Sequence, residues 1–127
     1  MIFGIGNDIV EVNRIQKAAE RTTSFLSKLF TEKERLYCDA RKAGKYQSYA
    51  ARYAAKEAFF KAMGTGYRYG FAFHEVEVLN DELGKPEVNV SGRVAEFLQE
   101  KKITQIHLTL SHVKEMATAF VILEYEY

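Results

Sequence analysis

At 127 residues, 47% of them hydrophobic, the chain is sized for one domain (1–127) with its own core. Its 18 Lys and Arg nearly balance 17 Asp and Glu, which argues against a general nucleic-acid binder, a class marked by basic excess. A lone cysteine, Cys38, excludes an internal disulfide and suits a reducing, cytoplasmic compartment, while no apolar run approaches the roughly 20 residues of a membrane span and Met1 to Gly6 lacks the basic start of a signal peptide.

Ile2 to Val12 begins as a strand interrupted by Gly4 and Gly6, and glycine in a strand marks a close approach of backbone to something else. Asp8, Glu11 and Arg14 recur every third residue and share one side if a helical turn starts there, with Asn7 or Asp8 as its cap. Ile15 to Ala19 reads as a short helix. Thr22, Thr23 and Ser24 break it, and Phe25, Leu26, Leu29 and Phe30 resume helical spacing. Thr31 and Glu34 form a capping box for a helix from Glu32 to Ala43. Tyr46 or Ser48 starts a long helix that Gly64 stops after Met63. On it Ala55, Ala58, Phe59, Ala62 and Met63 fall on one side, and Glu57 and Lys61 fall together on the other.

An aromatic loop follows from Tyr67 to Gly70. Phe73 to Asn80 and Pro86 to Val90 read as a hairpin about the turn Asn80 to Lys85. Ser91 caps a helix from Arg93 to Lys101, with Val94, Phe97 and Leu98 inward. Ile106 to Ser111 is a strand with Ile106, Leu108 and Leu110 on one face. Val113 to Met116 turns the chain, and Ala117 to Tyr125 is apolar enough to be a strand buried on both faces. The order implies an α+β fold, an antiparallel sheet packed on one long helix plus shorter helices.

Four motifs match one family. They are Gly6-Asn7-Asp8 with Arg14 six residues later, Phe30-Thr31-Glu32-Lys33-Glu34, the run Arg52 to Gly66 with Lys56-Glu57-Ala58 inside it, and Leu110-Ser111-His112 followed by Ala117, Ala119 and Val121. In this order, over essentially the whole length, they resemble holo-[acyl-carrier-protein] synthase, the small bacterial type of 4′-phosphopantetheinyl transferase. The resemblance implies transfer of 4′-phosphopantetheine from coenzyme A to a serine of acyl carrier protein, for fatty acid biosynthesis, with release of adenosine 3′,5′-bisphosphate. It implies Mg²⁺ on Asp8 and Glu57, Lys61 beside the phosphates, and a homotrimer with each site between two subunits. No nucleic acid or membrane partner is expected.

The chemistry of these residue types agrees. Mg²⁺ keeps waters and needs only one or two carboxylates, and a cation at the pyrophosphate offsets charge developing there. Lys61 is the candidate to stabilise or protonate the leaving phosphate, and Glu57 is the candidate base for the serine. Ser111 and His112 are candidate nucleotide contacts, though Ser-His at a strand end also has a purely structural reading. Gly64 and Gly66 offer backbone N–H groups to phosphate, and a helix C-cap equally explains Gly64. The Gly84-Lys85-Pro86 turn resembles the family's adenine-side loop, and Lys85 and Pro86 equally suit a plain hairpin turn.

Acyl carrier protein is acidic, so Arg14, Lys17, Arg21 and Lys28 are the candidate docking patch, with a solvated face as the alternative. Cys38 reads as a packed thiol. Asn7, Tyr46, Tyr49, Tyr67 and Tyr69 depart from the family's usual residues without removing a proposed ligand. Two rivals are a small acyl-coenzyme A thioesterase, which needs no Mg²⁺, and a non-catalytic oligomeric binding protein. Neither accounts for Asp8, Glu57, Lys61 and His112 at matching places.

Overall fold

The structure, a computed structural model, describes residues 1–66 and 68–126. In chain order it runs β1 (Ile2–Glu11), α1 (Val12–Arg21), α2 (Phe25–Leu29), α3 (Glu32–Asp39), α4 (Lys45–Met63), β2 (Val76–Asn80), β3 (Pro86–Val90), α5 (Gly92–Glu100), β4 (Ile103–His112) and β5 (Met116–Tyr125). The strands form an antiparallel sheet in the order β1-β5-β4 and a separate hairpin of β2 and β3. This is the expected α+β arrangement, with α4 lying between the sheet and the hairpin.

The glycines of β1 set the spacing of the fold. A Cβ on Gly4 would stand 1.9 Å from the Ala62 carbonyl oxygen, and one on Gly6 2.0 Å from that of Ala58. Strand and helix therefore touch backbone to backbone, with Ala58, Ala62 and the Cβ of Lys61 on the helix side. That face buries Ala54, Ala55, Ala58, Phe59, Ala62 and Met63. The helix ends where Gly64 takes φ of 81° and its N–H donates to the Lys61 carbonyl, 3.0 Å.

The other side of α4 meets the hairpin through polar groups. Lys56 and Glu34 are both fully buried and paired at 2.9 Å. The Lys56 ammonium also donates to the carbonyls of Phe73 (3.1 Å) and Val76 (2.5 Å). Glu34 closes the capping box of α3 and accepts the Val78 N–H at 2.8 Å. Arg52, one turn earlier on α4, donates to the Val78 carbonyl at 3.1 Å and to the Asn80 side chain. The open edge of β2 is thus paired by side chains instead of a further strand. Burial lowers the Lys56 pKa while Glu34 holds it up, and with three acceptors for three N–H bonds the site fits the ammonium.

Several expectations are corrected. Asp8 caps nothing, because β1 continues to Glu11 in register with β5, where Asp8 faces Ala119. The helix from Glu32 stops at Asp39, and a 3-10 turn over Lys42–Gly44 follows, with Lys42 at φ of 53°. Residues Phe73–Glu75 form a 3-10 turn instead of the start of β2, because the Glu75 carboxylate folds back onto the Ala72 N–H at 2.9 Å. The same carboxylate, not the Ser91 side chain, caps α5 by accepting the Arg93 N–H at 2.8 Å. Strand β5 is buried on its inner face only. Its outer face carries Thr118, Phe120 and Ile122, and no layer among the described residues covers it, so Phe120 is 41% exposed. Tyr67 of the expected aromatic loop lies outside the described residues.

The contact of β1 with α4 yields a stability prediction. Gly6→Ala forces strand and helix apart and should cost about 3 kcal/mol, at the upper end of overpacking penalties. Urea unfolding of the variant checks this, and a midpoint equal to that of the parent would contradict the contact.

Candidate active site

Alternation along β1 sends Gly4, Gly6, Asp8 and Val10 toward α4 and Ile5, Asn7 and Ile9 outward. Gly4 lies against Ala62 and Gly6 against Ala58, so two strand residues advance about one helical turn. Continuing that register brings Asp8 alongside the turn of α4 that carries Glu57. Lys61 reaches the same place, with its ammonium 3.2 Å from the Asp8 carboxylate and 3.0 Å from the Asn7 carbonyl on the edge strand.

Glu57 and Lys61 do not pair with each other as an ordinary surface couple would. With Tyr53 they form the one stripe of the later turns of α4 that is not buried. The half-buried Glu57 carboxylate makes no hydrogen bond or ion pair among the described residues. The Asp8 carboxylate pairs with Lys61, its one side-chain partner among the described residues, and the Asp8 side chain is 18% exposed. No cluster of three His, Cys, Asp or Glu side chains exists among the described residues. Two carboxylates, Asp8 and Glu57, are the number a hard cation such as Mg²⁺ needs when water or substrate oxygen supplies its other ligands.

A second group lies across the fold. A cavity of about 420 Å³ is lined by Arg41, Ser48, Arg52, Pro86, Leu110 and His112, among others. Arg52 is 3% exposed and donates to Ser48 Oγ at 2.9 Å, and its guanidinium lies 4.4 Å from the centre of the Tyr37 ring. The neighbouring turn is shaped by Asp81, whose carboxylate accepts the N–H groups of Leu83 and Lys85, both at 2.9 Å. It is also tied by Asn80, which donates to the Gly84 carbonyl at 2.9 Å. Pro86 and His112 therefore meet in one cavity, while the Lys85 side chain stands exposed on the turn.

The two groups do not meet within the chain. Asp8 is on β1 and His112 on β4, the opposite edges of the sheet, with β5 between them. Ser111 and His112 also separate, because successive strand residues point to opposite faces. Ser111 joins the outer face with Asn7, Ile9 and Phe120. Gly64 has committed its N–H to the helix cap. Gly66 has φ of 62° and open space where a Cβ would be.

Arg14, Lys17 and Arg21 lie along exposed positions of α1, and Lys28 is exposed on α2. None of the four forms an ion pair among the described residues. The Arg14 guanidinium lies 5.8 Å from the centre of the Tyr53 ring, which joins this basic helix to the open stripe of α4. Cys38 is fully buried against Ser48 at 3.3 Å, and burial pushes its thiol pKa up, so it is a packed thiol and a poor nucleophile.

Sequence reasoning missed Arg41, Arg52 and Tyr37 at the cavity, and the roles of Glu34 and Lys56. Arg52 and Lys56 carried a signal, since two cations four apart in a run otherwise rich in alanine and phenylalanine share one helix face and need acceptors there.

Residues 4–121 match the model of the 4′-phosphopantetheinyl transferase superfamily. The holo-[acyl-carrier-protein] synthase of Ruminiclostridium cellulolyticum is 49% identical over 120 residues, covering 94% of this chain and 90% of that one. That of Geotalea daltonii is 45% identical over 125 residues, covering 98% and 99%. Among solved structures, the holo-[acyl-carrier-protein] synthase of Neisseria meningitidis superposes with a TM-score of 0.88 at 35% identity, covering 98% of this chain and 99% of that one. The Bacillus anthracis enzyme, solved in complex with CoA (3′,5′-ADP), gives 0.83 at 39% identity, covering 99% of each chain.

Proposed function

The chain belongs to the 4′-phosphopantetheinyl transferase superfamily, in its holo-[acyl-carrier-protein] synthase family, and on that premise we propose that it moves 4′-phosphopantetheine from coenzyme A to a serine hydroxyl of apo acyl carrier protein in a Mg²⁺-dependent reaction. The observation that carries this reading is the stripe Tyr53, Glu57 and Lys61. It sets a carboxylate without a partner among the described residues beside an Asp8–Lys61 pair and under the basic helix α1.

In the reaction the serine oxygen forms a bond to the pyrophosphate phosphorus that bears pantetheine. The bond from that phosphorus to the bridging oxygen breaks, and adenosine 3′,5′-bisphosphate leaves. Asp8 and Glu57 would hold Mg²⁺, which offsets charge on the pyrophosphate oxygens. Lys61, 54% exposed at its side chain, has the reach and charge to stabilise the leaving phosphate. Glu57 takes the serine proton, directly or through one water. Backbone N–H groups near Gly66 suit the phosphates.

The cavity with Arg41, Arg52, Pro86 and His112, together with Lys85 at its rim, suits the nucleotide end. Cationic and aromatic groups there can meet a phosphate and a purine. Because this cavity and the Asp8 cluster lie on opposite edges of one sheet, a complete site takes one group from each of two copies. The outer sheet face supports such an assembly, since Ile5 and Ile9 are 58% and 60% exposed beside Phe120. The assembly we propose is the family's homotrimer, acting in the cytoplasm in fatty acid biosynthesis.

Incubating this protein with apo acyl carrier protein, coenzyme A and Mg²⁺ should add one phosphopantetheine to the carrier by intact mass. A chelator should abolish the gain. Glu57→Gln should lower kcat by about 10²- to 10⁴-fold, the usual worth of a general base. Full activity of that variant at ordinary Mg²⁺ would remove both roles of Glu57. Arg14→Ala should raise KM for the carrier several-fold, more so at low salt, and leave KM for coenzyme A unchanged. An unchanged carrier KM would refute the docking patch.

A further inference from the structure

We propose that Glu34, acting through Lys56, is a positioning residue for Glu57 and Lys61, fixing the rotation of α4 about its own axis; this rests on the transferase reading above. Among the contacts of α4, those with β1 and with the hairpin side differ in kind. Against β1 the helix presents alanines to glycines. That contact sets how close the helix lies, and its directional bonds, from Lys61 to Asn7 and Asp8, come from a long, flexible side chain that is 54% exposed and holds the helix rotation weakly. Against the hairpin the helix is held by directional bonds. Lys56 donates to the Glu34 carboxylate and to the carbonyls of Phe73 and Val76.

Glu34 is itself fixed from three sides. It accepts the Thr31 N–H at 2.9 Å and the Val78 N–H at 2.8 Å as well as the Lys56 ammonium. The anchor therefore ties α4 to the start of α3 and to the edge of β2 at once. Tyr49, whose hydroxyl donates to the Asp39 carboxylate at 2.8 Å, and Arg52 are further directional anchors on this face, but Arg52 also lines the cavity with His112. Glu34 and Lys56 are fully buried, so neither touches substrate.

Lys56 and Glu57 are consecutive. A roll of about 10° moves a carboxylate held about 6 Å from the helix axis by about 1 Å. Such a displacement is enough to cost about 10²-fold in rate where groups must meet in a transition state. A weakened anchor should therefore appear in kcat and leave the affinity for coenzyme A nearly intact.

The test uses full-length Glu34→Asp, which keeps the charge but withdraws it by one methylene, and the double variant Glu34→Gln/Lys56→Met, which leaves no buried charge unpaired. Val94→Ala on α5 serves as a control that loosens the core at a residue outside α4 and its polar anchors. All are assayed for transfer to apo acyl carrier protein well below their melting temperatures, with folding checked by circular dichroism. The expected result is a fall in kcat of about 10- to 100-fold in both anchor variants, with KM for coenzyme A within about threefold. The control should keep kcat within about twofold.

Wild-type kcat in a folded anchor variant, or a change confined to KM, would overturn the positioning role. So would loss of the fold in both anchor variants, which would assign the pair to folding alone. Absence of transfer by the wild-type chain would instead overturn the transferase reading, and this proposal with it.

Discussion

Lys56 is a fully buried cation, and removing a charge from water costs several kcal/mol unless it is paired and hydrogen-bonded. Its position is therefore set by where acceptors can be found. Glu34 supplies one, and the carbonyls of Phe73 and Val76 supply the others. This requirement brings two distant pieces of chain to α4, the start of α3 and the run from Phe73 to Val76. Arg52 repeats the solution one turn earlier, with the Val78 carbonyl, Ser48 and Asn80 as acceptors. The hairpin gains as well, since the edge of β2 facing α4 would otherwise leave backbone groups unpaired in the interior.

With that side of α4 fixed by polar bonds, the opposite side can be nearly featureless. Alanines on the helix and glycines on β1 let the two backbones touch. Among the later turns, the stripe of Tyr53, Glu57 and Lys61 is left for solvent and chemistry. The same geometry explains why the chain carries two half-sites. The carboxylates gather at the β1 edge of the sheet, while Arg41, Arg52 and His112 gather at the β4 edge. The outer sheet face, with Ile5, Ile9 and Phe120 exposed, is the surface through which copies of the chain would bring the two together.

Much of this was legible in the sequence because the signals are local. The Thr31–Glu34 capping box, the Gly64 cap and the hairpin turn each depend on residues within a few positions of one another. Gly4 and Gly6 announced a close approach, and α4 is what approaches. What escaped depends on distant partners. Asp8 reads as a cap until β5 is known to pair with it, because strand pairing is decided over a hundred residues away. Glu75 caps α5 from across a hairpin, which no spacing rule contains. The outer face of β5 reads as buried because its apolar residues imply a covering layer, and among the described residues of one chain that layer is missing. Of the site residues, Asp8 and Lys61 come together and Pro86 and His112 come together. The pattern of types did not reveal that these are separate pairs on opposite edges.

The most direct test of this account is complementation between two inactive variants, Glu57→Gln and His112→Glu, the latter setting a carboxylate against the nucleotide end. Each is assayed alone, and the two are then unfolded together, refolded and assayed for transfer to apo acyl carrier protein. If each site takes Glu57 from one copy and His112 from another, random assortment restores about one quarter of wild-type activity. If both residues serve a site within one chain, every site in the mixture carries a defect. Activity no greater than that of the separate variants would then contradict the account.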